Sequence, residues 1–99
     1  MLRHIVMWNY KEGLSDSQNQ ENAKKLKAEL EALKDSIQEV MEIKVHINSL
    51  PSSNMDIMLD SLFENEEALE IYKKHPEHVK IAEFVGSVLQ NRACIDYFE

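Results

Sequence analysis

The segment L-R-H-I-V-M-W-N-Y, residues 2–10, constrains the fold more than any other stretch of this chain. Its β-branched and aromatic side chains favour a strand, in which successive side chains point to opposite faces. One face then carries His4, Val6, Trp8 and Tyr10, and the other face carries Ile5 and Met7. Because both faces are mostly apolar, this pattern predicts a strand that is covered from two sides.

The sequence predicts three helices. The first is marked by the capping residues at its start and by the spacing of its apolar residues. Ser15 and Gln18 match a capping box, in which two side chains satisfy free backbone amides at a helix start. Asn65 is the expected cap of a short helix that runs to Lys74, and another helix is expected from Pro76 to about residue 90, more deeply buried than the first. The apolar stripe of the first helix recurs at spacings of three and four, at Ala23, Leu26, Leu30, Leu33 and Ile37.

Three more strands are predicted downstream of the first helix. Residues 40–47 alternate between apolar and polar side chains, which indicates a half-exposed strand at or near a sheet edge. Residues 56–63 and 92–98 are the other two strand segments. The order β-α-β-β-α-α-β is that of a ferredoxin-like α+β sandwich, with a four-stranded antiparallel sheet and one added helix.

The length of 99 residues predicts one domain, spanning residues 1–99. Helices can cover only one face of its sheet. We therefore expect an apolar face, carrying some combination of Val6, Trp8 and alternate residues of the other strands, to remain open in a monomer. This predicts a homodimer in which two sheets face each other.

Composition excludes several classes of function. Eleven basic and eighteen acidic residues give a net charge of -7, which would repel a nucleic acid backbone. No window approaches the apolar length of a membrane span or of a signal peptide core, so we expect a cytoplasmic protein without a membrane partner. The single Cys94 agrees with a reducing compartment. Two glycines, Gly13 and Gly86, do not suffice for a glycine-rich phosphate loop.

The segment Y-K-K-H-P-E-H, residues 72–78, holds the groups best suited to chemistry. If a helix begins at Pro76, then His75 is its N-cap and His78 is its third residue. A helix N-terminus disfavours imidazolium, so His78 is expected to stay neutral near pH 7 and to accept a proton. The structural alternative is that His75 only caps the helix and that His78 makes one buried hydrogen bond, to Tyr72 or to the backbone.

Metal binding and thiol chemistry are the competing interpretations. His75 and His78 have a spacing that zinc ligands use, but the proline between them need not leave both rings on one face. No third and fourth ligands are evident beyond His4, His46 and scattered carboxylates. We therefore expect no metal and no cofactor. Cys94 lacks a clear basic neighbour and is expected to be a small core residue, whereas Asp96 either orients a histidine or ends a strand.

Taken together, these residues resemble the stress-responsive A/B barrel (Dabb) domain family, of the dimeric α+β barrel superfamily. The matching features are His4-Ile5-Val6, Phe63, the Tyr72-x-x-His75-Pro76-x-His78 segment and Asp96-Tyr97-Phe98. The resemblance covers nearly the whole chain. It implies a homodimer whose two sheets close into a barrel, with a cleft between sheet and helices in each protomer, and it implies much less about activity.

Some plant members of that family are polyketide cyclases, which close a linear poly-β-ketone by aldol condensation without metal or organic cofactor. The resemblance implies that His78 is the base and Tyr72 its partner, and His4 matches a first-strand histidine of that branch. Ile57 stands where the branch has a further histidine on its third strand.

The leading hypothesis is a homodimer that binds a small hydrophobic or aromatic molecule in a cleft near His4, Trp8, Tyr72 and His78. The alternative is a cofactor-free cyclase, isomerase or lyase. In that case His78 abstracts a proton next to a carbonyl and Tyr72 donates to the enolate oxygen. Trp8 serves equally well as apolar packing, and the sequence does not decide between a ligand carrier, a structural dimer and an enzyme.

Overall fold

The computed structural model describes all 99 residues and contains four strands and four helices. In chain order these are β1 (Leu2–Tyr10), α1 (Asp16–Glu31), α2 (Leu33–Ser36), β2 (Glu42–His46), β3 (Ile57–Phe63), α3 (Glu66–Lys74), α4 (Pro76–Val88) and β4 (Leu89–Phe98). The strands form one antiparallel sheet in the order β2-β3-β1-β4. The predicted ferredoxin-like α+β fold is therefore confirmed, with β2 at one edge as expected.

Local signals place the helix starts where the sequence predicts them. The backbone N–H of Gln18 donates to Ser15 Oγ at 3.1 Å, and the N–H of Ser15 donates to Gln18 Oε1 at 2.9 Å, so the capping box begins α1. Asn65 accepts from the N–H of Ala68 at 2.9 Å and begins α3. None of the four helices combines the length and the apolar content that a membrane span requires.

The predicted first helix is divided into two, α1 and the short α2, at Ala32. Two side chains near the C-terminal end of α1, Lys27 and Glu31, hold the edge strand β2 in place. Lys27 Nζ donates to the carbonyl of Val45 at 2.6 Å, and the N–H of Val45 donates to the carboxylate of Glu31 at 2.9 Å. The edge of the sheet is thus tied to the helix layer by charged groups as well as by apolar packing.

The core lies between the helices and one face of the sheet, and that face carries Val6 and Trp8. Their exposed fractions are 1% and 8%, so the prediction that they lie on the uncovered face is wrong. Both faces of β1 are apolar, and such a pattern does not tell which of them the helices cover. The uncovered face instead carries Ile5 and Met7, opposite Ile95 and Ala93 of β4.

The connection from α4 to β4 differs from the prediction. The helix ends at Val88 and the strand begins at once at Leu89, three residues earlier than expected. The prediction that α4 is more deeply buried than α1 is also wrong, since only Val85 and Val88 of α4 are buried and Val79 is 43% exposed. Its apolar residues cover more than one face, but only one face meets the sheet.

Candidate functional site

A cavity of about 350 Å³ lies between the sheet and the helices. Its walls are mostly apolar, and its polar groups all come from basic side chains. The apolar wall comprises Val6, Trp8, Leu30, Leu59, Ala82 and Val85, together with the backbone of Gly86. The polar wall comprises His4, Lys73, His78 and Arg92. A concave apolar space of this size with a few convergent polar groups is typical of a small-molecule site.

His4 enters this cavity from the centre of the sheet and is only 3% exposed. Antiparallel pairing places Asp96 of β4 directly opposite, and the Asp96 carboxylate accepts a hydrogen bond from the Nδ1–H of His4. Burial lowers the pKa of His4, and the Asp96 carboxylate opposes that shift without cancelling it. The neutral ring therefore carries its proton on Nδ1 and keeps a free lone pair on Nε2.

The carboxylate of Asp96 is held ionised by the same contact. Its partial burial alone would raise the pKa, but the hydrogen bond from His4 and the nearby positive charges lower it overall. An ionised Asp96 stabilises the imidazolium form of His4 whenever that ring takes up a proton. The arrangement is a base whose orientation and tautomer are fixed by a carboxylate, as in other histidine sites that transfer protons.

Cys94 lies beside this pair and is exposed, so the prediction of a core cysteine is wrong. It is the register partner of Val6 and lies on β4, an edge strand of the sheet. Its Sγ is 3.8 Å from His4 Nδ1 and 3.7 Å from Asp96 Oδ1. Partial burial and the negative charge of Asp96 raise the pKa of the thiol, which disfavours a nucleophilic thiolate.

His4, Cys94 and Asp96 are also the residues that could hold a metal ion, because their ligand atoms lie within 4.8 Å of one another. The set offers three ligands of the kinds that zinc uses. Binding through His4 Nδ1 would, however, displace the proton that this nitrogen donates to Asp96. The expectation that this protein works without a metal stays a prediction.

His78 approaches the cavity from the start of α4, as its sequence predicts. The N–H of Glu77 donates to His75 Nδ1 at 3.1 Å, so His75 is the N-cap, Pro76 is the first helical residue and His78 is the third. The Nδ1–H of His78 donates to the carbonyl of Lys73 at 3.1 Å, which leaves Nε2 with the free lone pair. Burial lowers the pKa of His78, and nearby basic side chains lower it further.

Tyr72 lies behind His78 and does not line the cavity. Its side chain is fully buried, and its ring packs between His78, at a centroid distance of 4.3 Å, and Phe63, at 4.9 Å. Its hydroxyl has no hydrogen-bond partner, and burial raises its pKa. The structure thus brings His4, Trp8 and His78 together at one cavity and places Tyr72 next to His78, outside the cavity wall.

Sequence reasoning missed two residues of the cavity wall, Lys73 and Arg92. Arg92 reaches it through a β-bulge, since Asn91 and Arg92 together oppose the single residue Trp8 and Asn91 has a φ of 57°. Asparagine tolerates this left-handed conformation better than most residues, and that was the only sequence signal for the bulge. Lys73 directly follows Tyr72, where a solvent-exposed lysine is the ordinary expectation.

Comparisons with known proteins agree with this fold. A family model described as Stress responsive A/B Barrel Domain matches residues 2–99. The crystal structure of a dimeric protein of unknown function with a ferredoxin-like fold, from Bacteroides fragilis, has a TM-score of 0.91 and 29% identity, covering 97% of this chain and 93% of that chain. Among curated proteins, none matches this chain.

Two plant proteins share the fold at lower identity. The protein At3g17210 from Arabidopsis thaliana has a TM-score of 0.81 and 22% identity, covering 100% of this chain and 95% of that chain. The hydroxynitrile lyase from Passiflora edulis has a TM-score of 0.80 and 19% identity, covering 97% of this chain and 90% of that chain. At these identities the likeness concerns the fold and not the chemistry.

Proposed function

Because the chain belongs to the stress responsive A/B barrel domain family, we propose that it is a small homodimeric stress-response protein whose cavity binds a small hydrophobic or aromatic molecule. The observation that carries this proposal is the cavity itself. The cavity has a volume of about 350 Å³ and a mostly apolar wall that is formed by the sheet and the helices. The imidazole rings of His4 and His78 line the same space. Trp8 supplies a flat aromatic surface against which a ring of the ligand can pack.

The proposed dimer contact is the uncovered face of the sheet. Ile5 and Ile95 lie opposite each other there, and Ile95 is 56% exposed. Arg3 is surrounded on that face by the carboxylates of Asp60, Glu99 and Glu42, which reduces the charge that association would have to bury. A protein from Bacteroides fragilis that is 29% identical is described as dimeric, which supports the proposal.

A second candidate function is catalysis without a cofactor, and one observation favours it. Hydrogen bonds to Asp96 and to the carbonyl of Lys73 fix the protons of both histidines on Nδ1. Each ring thus keeps a basic Nε2 at neutral pH, as a general base requires. In this proposal His78 removes a proton next to a carbonyl group of the substrate.

The proposed partner of that base is Tyr72, which would donate to the enolate oxygen. A raised pKa keeps its hydroxyl protonated and able to donate. The hydroxyl is buried, so the reaction requires His78 to shift and admit the substrate oxygen. The Passiflora edulis protein with this fold is a hydroxynitrile lyase, which supports a lyase or isomerase on the same scaffold only as an analogy of fold.

Ligand binding is testable through Trp8, since it is the only tryptophan and lines the cavity. A panel of small aromatic acids, lactones and polyketide mimics is titrated against tryptophan fluorescence, with thermal unfolding as the second readout. We expect some panel members to change the emission and to raise the melting temperature, both in a saturable way. If no compound does either, the proposed ligand-binding function is wrong.

The enzymatic candidate has a separate test. Compounds that bind are incubated with the protein, and consumption is followed by mass spectrometry. We expect any turnover to disappear in His78→Ala, with the dimer intact by sedimentation. Turnover that survives in His78→Ala would exclude His78 as the base. Saturable binding without turnover of any ligand would favour the carrier function.

A further inference from the structure

The two charged side chains that line the cavity, Lys73 and Arg92, are both positive. The other titratable residues of the wall are His4 and His78, and none of the eighteen acidic residues of the chain lines this space. The whole chain has a net charge of -7, so a random sample of its surface would contain more carboxylates than basic groups. A basic cavity in an acidic protein concentrates positive potential at one place.

The two arginines of the chain differ in their ion pairs. Arg3 has carboxylate partners at 3.5 Å or less in Asp60, Glu99 and Glu42. Arg92, in contrast, forms no salt bridge and donates no side-chain hydrogen bond. The planar guanidinium of Arg92 is therefore free to receive a carboxylate from outside the chain.

Lys73 is the second cation of the wall, and its only ion pair is weak. Its Nζ is 3.6 Å from Glu70 Oε1, on an exposed side chain of the same helix. An exposed ion pair of this kind contributes little to stability, so another anion can readily replace Glu70 as the partner of Lys73. Lys73 and Arg92 line the same cavity as the buried His4, and each of their charges lowers the pKa of that ring.

We propose that the natural ligand of this cavity is an amphipathic carboxylate, with a flat apolar body against Trp8 and Val85 and its anionic end between Lys73 and Arg92. The inference rests on the proposed function, because it specifies the chemical class of the molecule that the cavity binds. The apolar wall takes the body of the ligand, and the two cations supply the preference for an anion.

The test compares two probes of nearly equal shape, 2-naphthoate and the uncharged 2-naphthamide. Binding is measured by Trp8 fluorescence at low salt and at a pH of about 8, where both histidines are neutral. We expect 2-naphthoate to bind about tenfold more tightly than 2-naphthamide. Added NaCl is expected to weaken the binding of 2-naphthoate and to leave that of 2-naphthamide unchanged. Equal binding of the two probes would overturn the inference and leave the ligand-binding function standing. Binding of neither probe would count against both.

Variants assign the preference to particular residues. In Lys73→Met/Arg92→Met we expect 2-naphthoate to bind no better than 2-naphthamide, and saturable binding of 2-naphthamide that remains reports an intact cavity. Lys74→Met is the matched control, because Lys74 is exposed, adjacent in sequence and absent from the cavity wall. A preference that survives in the double variant would exclude these two residues. If Lys74→Met loses the preference for 2-naphthoate equally, the preference comes from the net charge of the protein and not from Lys73 and Arg92.

Discussion

The Asp96 carboxylate and the buried ring of His4 face each other across β1 and β4 and share one hydrogen bond. His78, the other histidine of the cavity, is oriented by a backbone carbonyl, that of Lys73. The two rings therefore have the same tautomer but differ in how well each of them holds an added proton. The imidazolium of His4 would be stabilised by an adjacent negative charge, and that of His78 would not. Asp96 thus opposes the effect of burial on the pKa of His4, and the carbonyl of Lys73 opposes it at His78.

The first prediction concerns the hydrogen bond between these residues. Replacing Asp96 by asparagine removes the negative charge that opposes the lowering of the pKa of His4 by burial. We expect the pKa of His4 in Asp96→Asn to lie lower than in the wild type, as measured by NMR titration of the ring. The pKa of His78 serves as the internal control, since its proton is held by the backbone of Lys73. An unchanged pKa of His4 would show that the Asp96 contact is absent in solution.

The second prediction concerns how the free energy of unfolding depends on pH. An unfolded histidine titrates near 6.5, whereas burial lowers the folded pKa of both His4 and His78. Below about pH 6.5 the unfolded state therefore binds more protons, and the free energy of unfolding falls as the pH drops toward the folded values. Above that range this contribution is fully present. Urea unfolding at a series of pH values measures the slope.

Matched variants identify the groups behind that slope. We expect His78→Gln to flatten the dependence between about pH 7 and pH 5, since one of the two buried histidines is then absent. His46→Gln, which replaces an exposed histidine of β2, is the control. Equal slopes in all three proteins would mean that His78 is as accessible to protons in the folded state as in the unfolded chain.

The third prediction uses the glycine of the cavity wall. A Cβ added at Gly86 meets no atom within 4 Å, so larger side chains can enter the cavity without backbone strain. Gly86→Leu is expected to weaken binding of both naphthalene probes by about tenfold or more, because it fills the space that they need. Gly86→Ala is the control. It should raise the free energy of unfolding by about 0.5–1 kcal/mol through helix propensity and keep binding. Tight binding by Gly86→Leu would place the ligand elsewhere.

Apart from the short α2, the order of strands and helices was predictable from local signals. So were the helix starts and the positions of His75 and His78 at the start of α4. Capping residues and Pro76 act within a few positions, so Ser15, Asn65 and His75 mark their helices without knowledge of the fold. The faces of β1 were not predictable. An apolar side chain such as Trp8 packs equally well under helices or against a second sheet, and only the tertiary arrangement selects one of these.

The basic wall of the cavity depends on relationships that single-sequence reasoning does not reach. Arg92 is directed there by a bulge opposite Trp8, a two-against-one pairing between segments more than eighty positions apart. The role of Asp96 likewise depends on the register between β1 and β4. A shift of one residue would have turned Asp96 to the other face, away from His4. Registers of this kind are set by the whole sheet.

The fourth prediction concerns the buried hydroxyl of Tyr72. It has no hydrogen-bond partner, so it contributes a desolvation cost without a compensating bond. We expect Tyr72→Phe to raise the free energy of unfolding by about 1 kcal/mol, as measured by urea denaturation. The same variant should lose turnover if the hydroxyl donates to an enolate, and should bind the naphthalene probes normally in either case. A loss of stability in Tyr72→Phe would instead indicate a hydrogen bond to this hydroxyl in solution.

The last prediction concerns the uncovered face of the sheet. Ile95 lies at the centre of β4 opposite Ile5 and is 56% exposed in the single chain. If two such faces pack together, Ile95→Glu places a charge in an apolar contact, and we expect it to shift the protein from dimer to monomer at micromolar concentration. Sedimentation velocity measures the change. Val79→Glu is the matched control, because Val79 is an apolar residue that is 43% exposed but belongs to α4 and not to the sheet. A dimer that persists in Ile95→Glu but dissociates in Val79→Glu would move the interface to the helix layer.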